Sequence, residues 1–128
     1  MQIEIPDVDS SVKQVIVMRT DLNMRKGKMV TQGAHASGMY WPGTRGRSLT
    51  SAESIWENYG TTKITVKATS EEQLLDIYSQ ARQAGLTCHM VVDAGKTEFK
   101  GVATRTCLCI GPNYSEEIDK ITGDLPLL

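Results

Sequence analysis

The chain has 128 residues, of which 40% are hydrophobic and 23% charged, with a formal net charge of −1. Those values fit one compact core of ordinary soluble composition and argue against a disordered chain. No apolar run approaches the roughly 18 residues of a membrane-spanning helix, and the opening MQIEIPDVDSSVK lacks the basic start and apolar stretch of a secretory signal, so the cytoplasm is the expected compartment.

Residues 1–11 hold Pro6, Asp7, Asp9, Ser10 and Ser11 and read as a flexible N-terminal arm ahead of one domain over 12–128. Val12 to Thr20 contains the block Val15-Ile16-Val17-Met18, a short β-branched run that fits a strand buried on both faces. Asp21, Asn23 and Gly27 then punctuate a turn into a helix over 28–40. Pro42 ends that helix at or before Trp41, and a Gly/Pro/Arg-rich loop follows. Thr50 with Glu53 has capping-box spacing and opens a second helix to about Asn58. Thr62 to Ala68 alternates apolar and polar residues as a half-buried strand does. Ser70 with Gln73 opens a third helix, stopped by Gly85. Leu86 to Val92 and Thr104 to Ile110 are further strands, the second ended by Gly111-Pro112. Ser115 caps a last short helix, and the apolar tail Leu125 to Leu128 is expected to dock.

The order β-α-α-β-α-β-β-α predicts an α/β fold, a small mixed sheet with helices on both faces. The short link from Asp93 to Ala103 permits an antiparallel pair of strands.

Within the first helix, Lys28, Gln32 and His35 stand at i, i+4 and i+7. At roughly 100° per residue, Gln32 lies about 40° from Lys28 and His35 about 20° the other way, so one face carries an ammonium, an amide and an imidazole. The residues between them are small or apolar. A cap-side lysine, a surface glutamine and a backbone-bonded histidine would give the same pattern. In an open α/β sheet, ligands bind off the carboxyl ends of the strands. Asp93 stands at one such end and the first helix begins at another, so the two can meet. A carboxylate near an imidazole is an acid/base or orienting pair. Thr97, Thr104 and Thr106 place hydroxyls at the same corner, and Lys28 could hold a phosphate or polarise a carbonyl.

Charge is uneven along the chain. Residues 1–50 hold seven Lys/Arg against four Asp/Glu, and residues 51–128 hold seven against eleven. Arg25, Lys26, Lys28, Arg45 and Arg47 flank the first helix, a basic footprint that can steer an anion or serve solubility alone. The segment RKGKMVT lacks the first glycine of a phosphate-cradling loop, which excludes a nucleoside triphosphatase of that kind. The three cysteines have no metal-ligand spacing and read as small buried side chains. His89, alternating with Cys88 and Met90, reads as structural.

The segments VKQVIVMRTDLNMRKGKMVTQGAHA, DAGKTEF and TRTCLCIGPNYSEEIDKITGDLPLL, in this order, resemble the type-II peptidyl-tRNA hydrolases over nearly the whole chain after the arm. The resemblance implies a three-layer α/β/α sandwich around a mixed four-stranded sheet, a homodimer, and no cofactor or metal. It implies hydrolysis of the ester between peptide and tRNA, with peptidyl-tRNA as partner and no membrane. Carried over by position, the catalytic residues would be Lys28, His35, Asp93, Thr97 and Thr106, with Gln32 binding substrate. Arg25, Lys26, Arg45, Arg47, Lys96, Lys100 and Arg105 would hold tRNA phosphates. The loop EFKGVA is one residue longer than the family pattern and lacks its proline. That leaves Thr104 and Thr106 as alternatives for the second threonine, with Thr106 preferred. Two other readings are a non-catalytic RNA- or protein-binding module on the same fold and a hydrolase of small aminoacyl esters.

Overall fold

The structure is a computed structural model that describes residues 7–96 and 98–128. Its strands are β1 (Val12–Arg19), β2 (Lys63–Ala68), β3 (Cys88–Asp93) and β4 (Thr104–Tyr114). Its helices are α1 (Lys26–Gly38), α2 (Ser51–Asn58), α3 (Glu71–Gln83) and α4 (Ser115–Thr122). The sheet order is β2-β1-β4-β3. β1 runs parallel to β2 and antiparallel to β4, and the short link after Asp93 makes β3 and β4 antiparallel neighbours. Element order and mixed sheet are those predicted from the sequence.

The apolar run of β1 is continuous because both of its faces are covered. Val15 and Val17 join Leu74 and Ile77 of α3, Leu108 and Ile110 of β4 and Ile118 of α4 in one core. Ile16 and Met18 turn the other way and pack with Ala36 of α1, Val91, Cys107 and Cys109. Burying one such large side chain contributes about 1.5–3 kcal/mol. A third cluster of Val12, Tyr40, Ala52 and Trp56 fixes α2 at the far end of α1. The fully buried Gln14 ties α1 to the sheet: Ser37 Oγ donates to its Oε1 at 2.6 Å, and its Nε2 donates to the Ser37 carbonyl at 3.3 Å.

Several boundaries differ from the sequence reading; β3, for one, runs Cys88–Asp93 rather than Leu86 to Val92. β4 does not stop at Gly111-Pro112 but continues to Tyr114, because Asn113 and Tyr114 still have partners in Lys13 and Val12. Ser115 does not cap α4; its hydroxyl donates to the Ser10 carbonyl at 2.8 Å, and the capping position is Tyr114. α1 begins two residues earlier than expected, at Lys26, and ends at Gly38, ahead of a 3-10 turn over Trp41–Thr44.

Residues 1–6 of the expected arm lie outside the described residues, while Asp9 N–H donates to the Tyr59 carbonyl at 3.1 Å. The tail docks along the outer edge of β2, where Lys67 N–H donates to the Pro126 carbonyl and Leu128 N–H to the Thr65 carbonyl. Among the described residues, no helix is long and apolar enough to cross a membrane.

Candidate active site

Helix α1 starts against the ordinary rules. Its capping residue, Arg25, makes no side-chain cap, and its first turn holds no acidic residue. Lys26 and Lys28 instead add positive charge to the positive end of the helix dipole. The missing carboxylate comes from another element. Asp93, the last residue of β3, accepts from Lys28 Nζ at 2.7 Å through Oδ1 and from the Gly95 N–H at 2.8 Å through Oδ2. Both side chains of the ion pair are only 14% exposed.

Gly95 holds a left-handed φ of +81°, and a Cβ there would stand 2.5 Å from the Val102 carbonyl. A larger residue would therefore displace the turn that turns the Gly95 N–H onto Asp93. The Gly95 carbonyl also accepts from the Gly101 N–H at 2.9 Å, which closes this loop on itself. Phe99, in the same loop, brings its ring centroid to 5.9 Å from Lys28 Nζ. Sequence reasoning missed Phe99; being the single phenylalanine of the chain, placed in a loop, was the available signal.

Lys28 holds the Asp93 carboxyl below its ordinary value, with burial opposing and the Gly95 N–H helping. Asp93 is therefore an anion at neutral pH and a weak base.

Gln32 and His35 share a helix face but lie at different depths. Gln32 is buried, and Thr106 Oγ1 donates to its Oε1. Thr106 stands where the pairing of β3 with β4 skips a residue, between Val91 opposite Cys107 and Val92 opposite Arg105. Such a bulge re-aims a side chain. Thr106 is fully buried, so it acts on Gln32 rather than facing solvent. Thr104 instead donates to the Val102 carbonyl. His35 is exposed at the rim. A cleft of about 260 Å³ joins them, walled by Gln32, His35 and Met39 on the α1 side and by Met90 to Ala94 on the β3 side.

The structure thus brings Gln32, His35 and Asp93 to one cleft, with Lys28 bonded to Asp93 and Thr106 bonded to Gln32 behind its wall. Thr97 lies outside the described residues. Arg25, Lys26, Arg45, Lys96 and Lys100 are exposed. Arg47 is engaged in a two-point pair with Glu53, with bonds of 2.9 and 2.8 Å, and Arg105 stands 3.6 Å from Glu71. The three cysteines are buried, and burial raises their thiols, to about 12 for Cys88 and about 11 for Cys107. They remain protonated at neutral pH and are poor nucleophiles. His89 is half-buried, and burial first and Arg82 second lower its affinity for a proton. Among the described residues, no group of three or more His, Cys, Asp or Glu side chains is placed to hold a metal ion.

The opposite flank of α1 is larger and has different chemistry. A groove of about 760 Å³ runs between α1 and β2, walled by Ile16, Met18, Met29, Val30, Gly33 and Ala34, with Lys26 and Lys63 at its margins. Its walls carry no acidic side chain and no imidazole, so size does not mark the reactive side.

An ammonium locked to a carboxylate beside an exposed imidazole, at the carboxyl end of a strand in an α/β fold, is an arrangement that can polarise a carbonyl or hold an anion. The family model described as "Peptidyl-tRNA hydrolase PTH2" matches residues 12–128, and the chain belongs to that family. A peptidyl-tRNA hydrolase of Methanocaldococcus jannaschii is 45% identical over 91% of this chain and 100% of its own length. One from Methanothermobacter thermautotrophicus is 44% identical over the same shares. A probable peptidyl-tRNA hydrolase 2 of Dictyostelium discoideum is 38% identical over 98% of this chain, which spans 59% of that longer protein. A solved structure of a protein of unknown function from Agrobacterium tumefaciens shares the fold, with a TM-score of 0.62 at 13% identity, over 92% of this chain and 98% of its own.

Proposed function

We propose that the protein hydrolyses the ester joining a peptide to the terminal ribose of tRNA, releasing peptide and free tRNA. The observation that carries this reading is the shielded Lys28–Asp93 pair, 2.7 Å apart, whose Asp93 lines the same cleft as His35 in a chain of the PTH2 family.

Asp93 has both oxygens engaged and a depressed pKa, so it suits orientation and charge better than proton abstraction. His35, exposed at the rim, takes the proton of the attacking water. As the carbon–oxygen bond to the ribose breaks, His35 returns that proton to the ribose oxygen. Lys28, reinforced by the positive end of α1, faces the negative charge that develops on the carbonyl oxygen. Gln32, fixed by Thr106, orients the ester from the floor of the cleft. A placed base and a placed oxyanion donor are worth about 10²–10⁴-fold and 10²–10³-fold respectively.

Arg25, Lys26, Arg45, Lys96 and Lys100 hold tRNA phosphates, with Arg47 and Arg105 as weaker members because Glu53 and Glu71 already occupy them. Binding then weakens with salt, by a slope of about 0.7–0.9 per phosphate neutralised. A second copy covers the apolar groove between α1 and β2, giving a homodimer. The chain works in the cytoplasm, where translation produces its substrate.

The test is release of peptide from purified peptidyl-tRNA. The unchanged protein is expected to release it, and Asp93→Ala and His35→Ala to slow release by about 10²-fold or more with the fold intact. Unchanged rates in both variants would remove this site. Equal turnover of a short aminoacyl ester would assign a small-ester hydrolase instead.

A further inference from the structure

We infer that the free edge of β3 binds the peptide part of the substrate as an added strand, through main-chain hydrogen bonds. This rests on the proposed hydrolysis of peptidyl-tRNA and concerns how the same site would hold the peptide. Among the described residues, β3 is the last strand of the sheet, paired on one side only, with β4. The Gly111 N–H donates to the Thr87 carbonyl at 2.8 Å, just before Cys88 meets Ile110 and His89 meets Cys109. Antiparallel pairing alternates, so Thr87, His89 and Val91 turn their backbone groups to β4. Cys88, Met90 and Val92 turn theirs away. The residue skipped at the bulge lies on β4, so the alternation along β3 is unbroken.

That outward edge leads directly to the reacting corner. Met90, Val91, Val92 and Asp93 follow one another along the wall of the cleft, and Asp93 ends the strand in its bond to Lys28. At about 3.3 Å per residue, Met90 to Asp93 spans about 10 Å, the length of three extended residues. An ester held at Lys28 and Asp93 therefore leaves its last peptide residues beside Val92 and Met90. Val92 is 56% exposed and Met39, across the cleft, is 38% exposed, an apolar shelf with no charge to select one side chain. The only feature common to all peptides is their backbone, and strand addition to a sheet edge recognises that.

The experiment uses the full chain and three formylated tripeptidyl-tRNAs. One is the parent. Each of the others has an ester in place of one internal amide, the first or the second counted from the tRNA, and free tRNA release is followed. A strand faces the edge with alternate residues, so one substitution is expected to lower kcat/KM by about 3- to 10-fold and the other to change it by less than about twofold. Val92→Pro, which removes an outward N–H at a position where an edge strand tolerates proline, is expected to shrink the preference for the tripeptidyl over a formyl-aminoacyl substrate by a similar factor. If the parent is hydrolysed and all three substrates react alike, the edge proposal is overturned and the hydrolase reading stands. If the parent itself is not hydrolysed, the hydrolase reading falls, and this inference with it. A change in sedimentation of Val92→Pro with an unchanged preference would make the edge a contact between copies and also overturn the proposal.

Discussion

The start of α1 and the start of α2 are built on opposite principles. At α2, Thr50 Oγ1 accepts from the Glu53 N–H, Glu53 Oε1 accepts from the Thr50 N–H, and Arg47 clamps the same carboxylate. α3 repeats the pattern more simply, with Ser70 accepting from the Gln73 N–H and Glu71 and Glu72 in its first turn. α1 has no side-chain cap, no acid in its first turn, and three cations over four residues. Two helices satisfy their ends locally, and the third waits for a carboxylate 65 residues away. Local rules are broken where a site gains by it. On the proposed function the gain is a concentrated positive field beside one ion pair, where an anionic ligand would sit.

Lys28→Ala breaks the contrast most severely. It removes the cation that faces the oxyanion and leaves Asp93 without its partner, so kcat for peptidyl-tRNA is expected to fall by about 10²–10³-fold in steady-state assays. Thr106→Val comes next. It takes the buried donor from Gln32 and is expected to cost about 1–3 kcal/mol of stability in urea titration. The same change is expected to lower kcat by about tenfold, while an effect confined to stability would make Thr106 purely structural.

Glu53→Ala tests the orthodox end. It removes one half of the capping box and the Arg47 clamp, and is expected to cost about 1–2 kcal/mol with little change in kcat. Arg47 holds the Glu53 carboxyl down to about 2, against an ordinary 4.5, with burial opposing. The folded pKa is lowered, so the contribution is whole above about 4.5 and fades as the pH falls toward 2. The stability gap between Glu53→Ala and the unchanged protein should narrow over that window in acid titration. The smallest effect belongs to Arg25→Asp, which gives α1 the cap it lacks. Stability is expected to rise by about 0.5–1 kcal/mol in thermal melts, while tRNA affinity and its salt slope fall.

How far the sequence revealed all this depends on which distances matter. Spacing along α1 placed Lys28, Gln32 and His35 on one face, and the end of a buried run marked Asp93. Depth was not legible: nothing in a 3.6-residue period says that Gln32 goes to the floor and His35 to the rim, since that follows from the bulge that turns Thr106 toward α1. Capping boxes at Thr50 and Ser70 were readable because their partners lie three residues away. The Arg47–Glu53 clamp was not, because residue type alone made Arg47 a phosphate contact. Gly111-Pro112 looked like the end of a strand, and pairing with Lys13 and Val12 carried β4 past it. The free edge of β3 and the apolar groove beside β2 depend on sheet order, which no local pattern encodes.

The most direct measurement is single-turnover release of peptide from peptidyl-tRNA by Asp93→Asn, with a thermal melt of the same sample. Asparagine keeps the shape but carries no charge, and its single amide oxygen replaces only one of the two oxygens that accept from Lys28 and the Gly95 N–H. Release slowed by about 10²-fold or more, from a sample that is still folded at the assay temperature, is the expected result. Release at the unchanged protein's rate, from an equally folded sample, would contradict the assignment of the Lys28–Asp93 pair to the reaction.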